Sequence, residues 1–317
     1  MDLTQLNTLL RVAELGSLSK AADRLRIAQP ALSRQVRMLE EELGVALFSR
    51  HGRGMALTEK GRDVLKHASR IETELDEIRA GAADLNTPLT GQIAIGLPPT
   101  VADIVSVPLV DAFRKAHPGA VPRLVSAYTG YLLDWLNRGE IDLAVLYDPR
   151  TVRSVRSQPL LLENLFLIGP PEANFSIHRA LPFKSLGGKR LLLPSTRHGL
   201  RTIVERCATD AGVGLDVVVE ADSYATLKDL VRAGHGWTIL PLAPIHGEVA
   251  SGALTAAPLI DPAPVRRLVL SFPADRPTPR LARFAGSAVV DSVTDQVERG
   301  VWPGQLLGAP PSDRISK

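Results

Sequence analysis

The sequence predicts an α+β multidomain protein. Its parts are an N-terminal winged helix-turn-helix, one long linker helix and a C-terminal α/β domain. Three observations carry this reading. Residues 17–44 hold two apolar stripes at helical spacing, separated by a four-residue turn. Residues 64–85 repeat apolar side chains at alternating steps of four and three. From residue 92 onward, short aliphatic runs alternate with helical patterns, which argues strand–helix units with largely parallel pairing.

Taken in order, Leu3, Leu6, Leu10 and Ala13 give an amphipathic first helix that ends at Gly16. Leu18, Ala21, Ala22 and Leu25 give the second, with Ser19 read as the cap that accepts an orphan N–H. Residues 26–29 turn, and Pro30 suits a first helical turn because its missing donor has no partner there. Leu32, Val36, Leu39 and Leu43 then form one buried stripe. The other face carries Pro30, Ser33, Arg34 and Arg37, with Gln29 at its entrance. Short polar and cationic groups at the start of a second helix are what base edges and phosphates require. An ordinary helical hairpin with a solvated basic face shows the same pattern. Phe48 to Leu57 holds Gly52 and Gly54 between apolar flanks and reads as a small β-ribbon, placing Arg50 and Arg53 beside a DNA backbone. A mobile glycine loop with solvated arginines is the alternative.

Thr58 caps the next helix, with Glu59 at its positive end, and the pattern runs to about residue 86. Val64, Ala68, Ile71, Leu75, Ile78, Ala82 and Leu85 form a heptad seam over three repeats. A second copy of the same helix fits so narrow a seam; packing against its own domain is the competing account. Residues 86–91, NTPLTG, read as a linker. Strands are expected at 92–96, 122–126, 143–147, 190–193, 217–220, 237–240 and 268–272. Helices are expected at 109–117, 131–138, 200–211, 223–233 and 279–294. The Pro- and Gly-rich tail after Gly300 reads as disordered.

Composition sets bounds. A chain of 317 residues with net charge +3 has no chain-wide basic field. Residues 1–58 carry eight Lys and Arg against six Asp and Glu, so any nucleic-acid footprint is local to the Arg34/Arg37 and Arg50/Arg53 surfaces. The single Cys207 excludes an internal disulfide framework and reads as a half-buried structural thiol. With no signal-peptide pattern and no apolar run long enough to span a membrane, a soluble cytoplasmic protein is expected. Ser17-x-x-Lys20 has an acylating serine–lysine spacing without its companion motifs, and Gly187-Gly188-Lys189-Arg190 lacks half of a phosphate loop. The seven histidines lie at least eleven residues apart, so neither enzyme chemistry, a metal nor a cofactor is expected.

The N-terminal residues resemble the signature of the LysR-type transcriptional regulators. Leu6, Gly16-Ser17-Leu18-Ser19-Lys20-Ala21-Ala22, Gln29-Pro30-Ala31-Leu32-Ser33-Arg34-Gln35-Val36, Leu39-Glu40, Leu43-Gly44, Leu47-Phe48 and Leu57-Thr58 carry it over about 58 residues. Ala28 stands where many relatives have Ser or Thr. The resemblance implies a DNA-binding domain at 1–58, a linker and dimerisation helix at 59–90, and an effector-binding domain at 91–295. The last would be two-lobed, like the periplasmic binding proteins, with one lobe at 91–162 and 268–295, the other at 163–267, and a tail at 296–317. It also implies a homodimer or homotetramer on double-stranded DNA at an interrupted inverted repeat, working with RNA polymerase. Ser19, Gln29, Pro30, Ser33, Arg34, Arg37, Arg50 and Arg53 would meet the DNA.

In open α/β sheets, ligands sit beyond the carboxyl ends of the strands. The residues there include Thr100, Thr129, Tyr147, Ser195, His198 and Trp237, a set suited to a small anionic or polar effector. Thr100, Thr129 and Ser195 match positions relatives often use, although strand-end Thr and Ser also serve as helix caps. Residues 91–97, 143–148 and 157–161 are similar to the nitrogen assimilation control branch, whose members are thought to act without an effector. The rival class is a small-molecule-binding or catalytic α/β protein with a helical appendage. The polar face at 29–37, the winged hairpin and the heptad seam together decide against it.

Overall fold

The computed structural model describes residues 1–51, 54–82, 88–147 and 154–307. Asp2 starts helix α1 (Leu3–Leu15) with a reciprocal capping box: its carboxylate accepts the Gln5 N–H while the Gln5 side chain accepts its own. Gly16, at φ +60°, ends α1. Helix α2 (Leu18–Leu25) is capped by Ser17, whose hydroxyl accepts from the Lys20 N–H. The sequence had assigned that role to Ser19. Gly16 closes α1 in the left-handed conformation, which puts the extended Ncap backbone at Ser17 and leaves Ser19 inside the first turn. Arg26, also left-handed, ends α2.

Helix α3 (Gln29–Leu43) buries Leu32, Val36 and Leu39 against α1 and α2, and Ala28 at its Ncap offers no side-chain cap. Strands β1 (Phe48–His51) and β2 (Gly54–Leu57) form an antiparallel ribbon. Glu40 ties its start to α3 by accepting the Leu47 and Phe48 N–H groups at 2.7 and 3.1 Å. The Met55 N–H donates to the Gly16 carbonyl at 2.9 Å, and a Cβ on Gly54 would stand 2.4 Å from that oxygen. Only glycine therefore lets the ribbon dock so closely. Helix α4 (Glu59–Ala82) follows, its first turn capped by the Thr58 hydroxyl.

Of the seam residues, Ala68 is buried and Val64 half-buried in the core of this first unit, so the start of the seam packs within its own domain. Leu75 is half-buried, whereas Ile71 and Ile78 are exposed, the latter by 69%. Leu85 lies outside the described residues, and Ala82 closes the helix.

The chain changes from its first compact unit to its second between Leu89 and Thr90. The second contains β3 (Thr90–Leu97), α5 (Pro99–Ala116), β4 (Gly119–Ser126), α6 (Thr129–Arg138) and β5 (Leu143–Tyr147). Then come β6 (Val155–Gly169), β7 (Leu181–Pro182), β8 (Arg190–Leu193), α7 (Gly199–Asp210), β9 (Asp216–Glu220) and α8 (Tyr224–Arg232). Next are β10 (Thr238–Pro241), α9 (His246–Ala250), β11 (Thr255–Ile260), β12 (Val265–Pro273), α10 (Arg280–Glu298) and β13 (Gly304–Leu306).

Strands run in the order β4-β3-β5-β12-β6, with β13 also on β6. Past Asn164, β6 leaves β12 and enters a second sheet with β10 and β11. Each half has its own apolar core, and β6 and β12 supply the crossovers between the two lobes.

Four expectations need correction. Helix α5 begins at Pro99, not after Pro108; the interior proline forfeits one hydrogen bond, while Val101, Val105, Leu109 and Phe113 at steps of four bury the helix regardless. The long strand β6 lies where no strand was expected; it holds Pro159 at a register shift opposite Leu268/Val269, where a missing N–H is tolerated. Strands β7 and β11 lie where no strand was read. The region after Gly300 is folded through residue 306: Trp302 is 1% exposed and β13 pairs with Leu161–Glu163.

Candidate nucleic-acid interface and interlobe site

On α3, Gln29, Pro30 and Arg34 are exposed and Ser33 is half-buried, one turn apart on the face opposite Leu32, Val36 and Leu39. Arg34 has no ion-pair partner among the described residues, whereas Arg37 lies 3.7 Å from Glu41 one turn on. Ser19 on α2 reaches this face too: its hydroxyl donates to Gln29 Oε1 at 3.3 Å. From behind, the buried Thr8 on α1 donates to Gln35 Oε1, which fixes how α3 rolls on α1. Arg53 lies outside the described residues. Arg50 belongs to β1, paired with Met55 across the ribbon. This is a rigid helix presenting one amide, one hydroxyl and cations from a buried frame, the arrangement that fits a major groove.

In the second unit, five of the six expected cleft residues come together where the lobes face each other. Thr100, in the first turn of α5, shares a 2.7 Å hydrogen bond with the Tyr147 hydroxyl at the end of β5. The Thr129 hydroxyl accepts the Tyr147 N–H at 3.0 Å. Across the seam, Ser195 N–H donates to Asp222 Oδ1 at 2.9 Å. His198 caps α7 by accepting the Leu200 N–H on Nδ1 at 3.2 Å. Tyr128 joins the two sides: its ring meets that of His198 edge-on at 4.9 Å, and its hydroxyl donates to the Asp222 carbonyl. Trp237 is elsewhere. Its N–H donates to the Arg190 carbonyl, its ring packs on Phe175 at 4.9 Å, and Lys189 stands 5.3 Å above it. It precedes β10 beside the start of β8, a strand's length from Ser195, because parallel pairing of Trp237 with Leu191 sets that register.

Sequence reasoning missed the group at the centre. The Arg266 guanidinium carbon stands over the Tyr147 ring, 3.6 Å from its centre, and the guanidinium donates to the Thr100 hydroxyl at 3.3 Å. It also forms an ion pair with Glu163, its direct partner across β12 and β6. The other Glu163 oxygen accepts the Trp302 indole N–H at 2.6 Å. Glu163 and Arg266 are 1% and 5% exposed. Burial opposes the charge on Arg266, yet Glu163 beside it keeps the guanidinium pKa above its ordinary value. Burial pushes the Tyr147 phenol up, so it stays neutral. His198 is lowered by burial and then by the positive Arg266 nearby, and Asp222 is lowered chiefly by the Ser195 N–H it accepts. The clues were a single charged residue, Glu163, beside Asn164 in the mostly apolar run LLLENLFLIG, and a Trp in a Gly/Pro-rich segment.

A helix-turn-helix unit with a β wing, followed by a two-lobed α/β domain, is the architecture of a DNA-binding protein that carries a sensor-type domain. Comparison with known proteins specifies the class further. Residues 3–62 match the bacterial regulatory helix-turn-helix protein, lysR family, and residues 86–289 match the LysR substrate binding domain. The chain belongs to the LysR-type family: it is a DNA-binding transcriptional regulator and not an enzyme. It is 30% identical to the HTH-type transcriptional regulator BbuR of Bordetella bronchiseptica over 96% of this chain and 94% of that protein. It is 33% identical to the nitrogen assimilation regulatory protein nac of Klebsiella aerogenes over 76% of this chain and 78% of that protein. Among solved structures it is similar to a Corynebacterium glutamicum OxyR C206 mutant, with a TM-score of 0.70 and 26% identity over 97% and 98% of the two chains. Among the described residues no helix is long and apolar enough to cross a membrane.

Proposed function

We propose that this regulator reads an interrupted inverted repeat as a dimer or tetramer. Gln29, Pro30, Ser33 and Arg34 meet base edges, while Ser19, Arg37, Arg50 and Arg53 serve the backbone side. The observation that carries this is the exposure of Gln29, Pro30 and Arg34 on a helix whose opposite face is held by the buried Leu32, Val36 and Leu39. Two copies joined through the exposed Ile71 and Ile78 edge of α4 present two such helices related by a two-fold axis, so half-sites fall about one helical turn, or a multiple, apart. RNA polymerase is the downstream partner implied by the family. In the binding test, Arg34→Ala costs about 1–3 kcal/mol and relaxes base preference, whereas Arg37→Ala weakens all sequences alike and lowers the salt slope by about one unit. Unchanged affinity and preference in Arg34→Ala overturn the groove assignment.

The interlobe residues support a small polar or anionic effector that must displace Tyr147 from Thr100 to engage either hydroxyl. A second reading is regulation by the amount of protein alone. It is favoured because Thr100, Tyr147, Arg266, Glu163 and Trp302 already satisfy one another. A metabolite screen by thermal shift separates the two, since an effector at a hundred times its Kd stabilises by about 2.7 kcal/mol.

A further inference from the structure

We infer that Tyr128 is a clasp that holds the two lobes of the α/β unit at their present spacing from within the chain, a task that otherwise falls to a ligand bound between them. The inference rests on the reading of regulation without an effector given above, and names what keeps the cleft in one state when nothing occupies it. Tyr128 crosses the cleft in two ways. Its hydroxyl donates to the Asp222 carbonyl, and its ring meets the His198 ring edge-on with centroids 4.9 Å apart.

Both ends of the clasp are anchored. On one side the Ala127 N–H donates to the Leu97 carbonyl at 3.3 Å, and the Tyr128 carbonyl accepts the Leu132 N–H at 3.1 Å as α6 opens. On the other, the Asp222 carboxylate accepts the Ser195 N–H at 2.9 Å, and His198 Nδ1 accepts the Leu200 N–H at 3.2 Å. The contact therefore joins two hydrogen-bonded frames.

Its place in the topology gives it leverage. From the crossover strand β12, the first sheet runs outward through β5 and β3 to β4, three strands away. From the crossover strand β6, the second runs through β10 and β8 to β9, again three strands away. Tyr128 lies just past β4 and Asp222 just past β9, so the clasp ties an edge strand of one lobe to an edge strand of the other. At about 4.8 Å per strand, it stands roughly 14 Å from the crossovers. Parting it by the width of one water, about 3 Å, corresponds to roughly 12° of rotation about them. A contact on so long an arm restrains the lobe angle more than the same contact made beside the crossovers, where Arg266, Thr100 and Tyr147 meet.

The test is the distance between spin labels on the two clasp-bearing strands, measured by double electron–electron resonance on the full-length protein. The labels go on Ser126→Cys in β4 and Asp216→Cys in β9, both exposed, in a chain that also carries Cys207→Ser. Dilution with unlabelled chain keeps the measured pairs within one chain, and circular dichroism checks that each variant is folded. With Tyr128 in place the distances form one narrow distribution. Tyr128→Phe keeps the ring contact, loses the hydroxyl and broadens the distribution. Tyr128→Ala loses both contacts and shifts or broadens it by about 3 Å; should that variant not fold, the Tyr128→Phe result decides. Tyr131→Ala, which removes an exposed ring packed on Trp135 in the adjoining α6, leaves the distribution as it was. Three results overturn the inference: several lobe spacings with Tyr128 in place, Tyr128→Ala matching the unsubstituted chain, or Tyr131→Ala moving the distance as far as Tyr128→Ala. The metabolite screen described above judges the effector-free reading separately, since a ligand that stabilises the protein ends that reading whatever the labels report.

Discussion

Replacing Glu163 by Gln tests the buried pair at the crossover. The glutamine keeps an oxygen for the Trp302 indole, but its amide now sets N–H donors against the Arg266 guanidinium. Arg266 keeps its charge with no carboxylate to balance it. With both partners more than nine-tenths buried, solvent screening does not soften the loss. Removing one partner of a buried pair costs about 3–5 kcal/mol. For a unit of some two hundred residues, roughly 2–4 °C of melting temperature corresponds to each kcal/mol, so the expected fall is roughly 6–20 °C. The assay is thermal unfolding of the full-length chain followed by circular dichroism and tryptophan fluorescence. Glu163→Leu/Arg266→Met, which removes both charges, should melt well above Glu163→Gln, because no charge is then left buried without its counterion. A drop under about 2 °C in Glu163→Gln would refute the reasoning, since the pair would then be solvated or weakly formed.

Two further outcomes are expected. Ile71→Asp/Ile78→Asp puts charge on the exposed edge of α4 without touching Ala68 in the core, and should yield folded monomers by sedimentation; a persistent dimer through that helix removes the proposed joint. His198 is held below its ordinary pKa of 6.5, first by burial and then by Arg266, so just below that pH the unfolded chain binds a proton the folded chain refuses. Stability is therefore full above pH 6.5 and falls as pH drops through that value. His198→Asn keeps an acceptor for the Leu200 N–H and should melt with a shallower pH dependence than wild type between about pH 7.5 and 5.5; an identical slope excludes His198 as the titrating group.

Local patterns were legible in the sequence where one segment buries one face against its neighbours. The stripe Leu32, Val36, Leu39 fixes which side of α3 is outward, and Thr58 marks the start of α4 by capping it. The start of α5 was not legible because Pro99 and Pro108 interrupt the local helical signal, while its burial depends on cores that only the folded sheet creates. The interlobe group was half legible. Strand-end hydroxyls follow from the strand–helix alternation, so Thr100, Thr129 and Ser195 are where it places them. Arg266 and Glu163 meet across 103 residues of sequence, and Trp302 reaches Glu163 across 139, which no local period encodes. Trp237 misled because a strand-adjacent aromatic was taken to lie at the carboxyl end of the sheet, when it lies at the amino end.

The contact between Trp302 and Glu163 also orders events during synthesis. Every partner in the helix-turn-helix core lies within the first seven tens of residues, so that unit has all it needs early in translation. The α/β unit does not. Until Trp302 and β13 arrive, Glu163 lacks one of its two hydrogen-bond partners and β6 has an open side at Leu161–Glu163. At about 5–20 residues per second, the two moments are separated by roughly 10–50 s. Through that interval the nascent chain carries a finished DNA-reading head and an unfinished regulatory half, on a polymer still tethered to the ribosome.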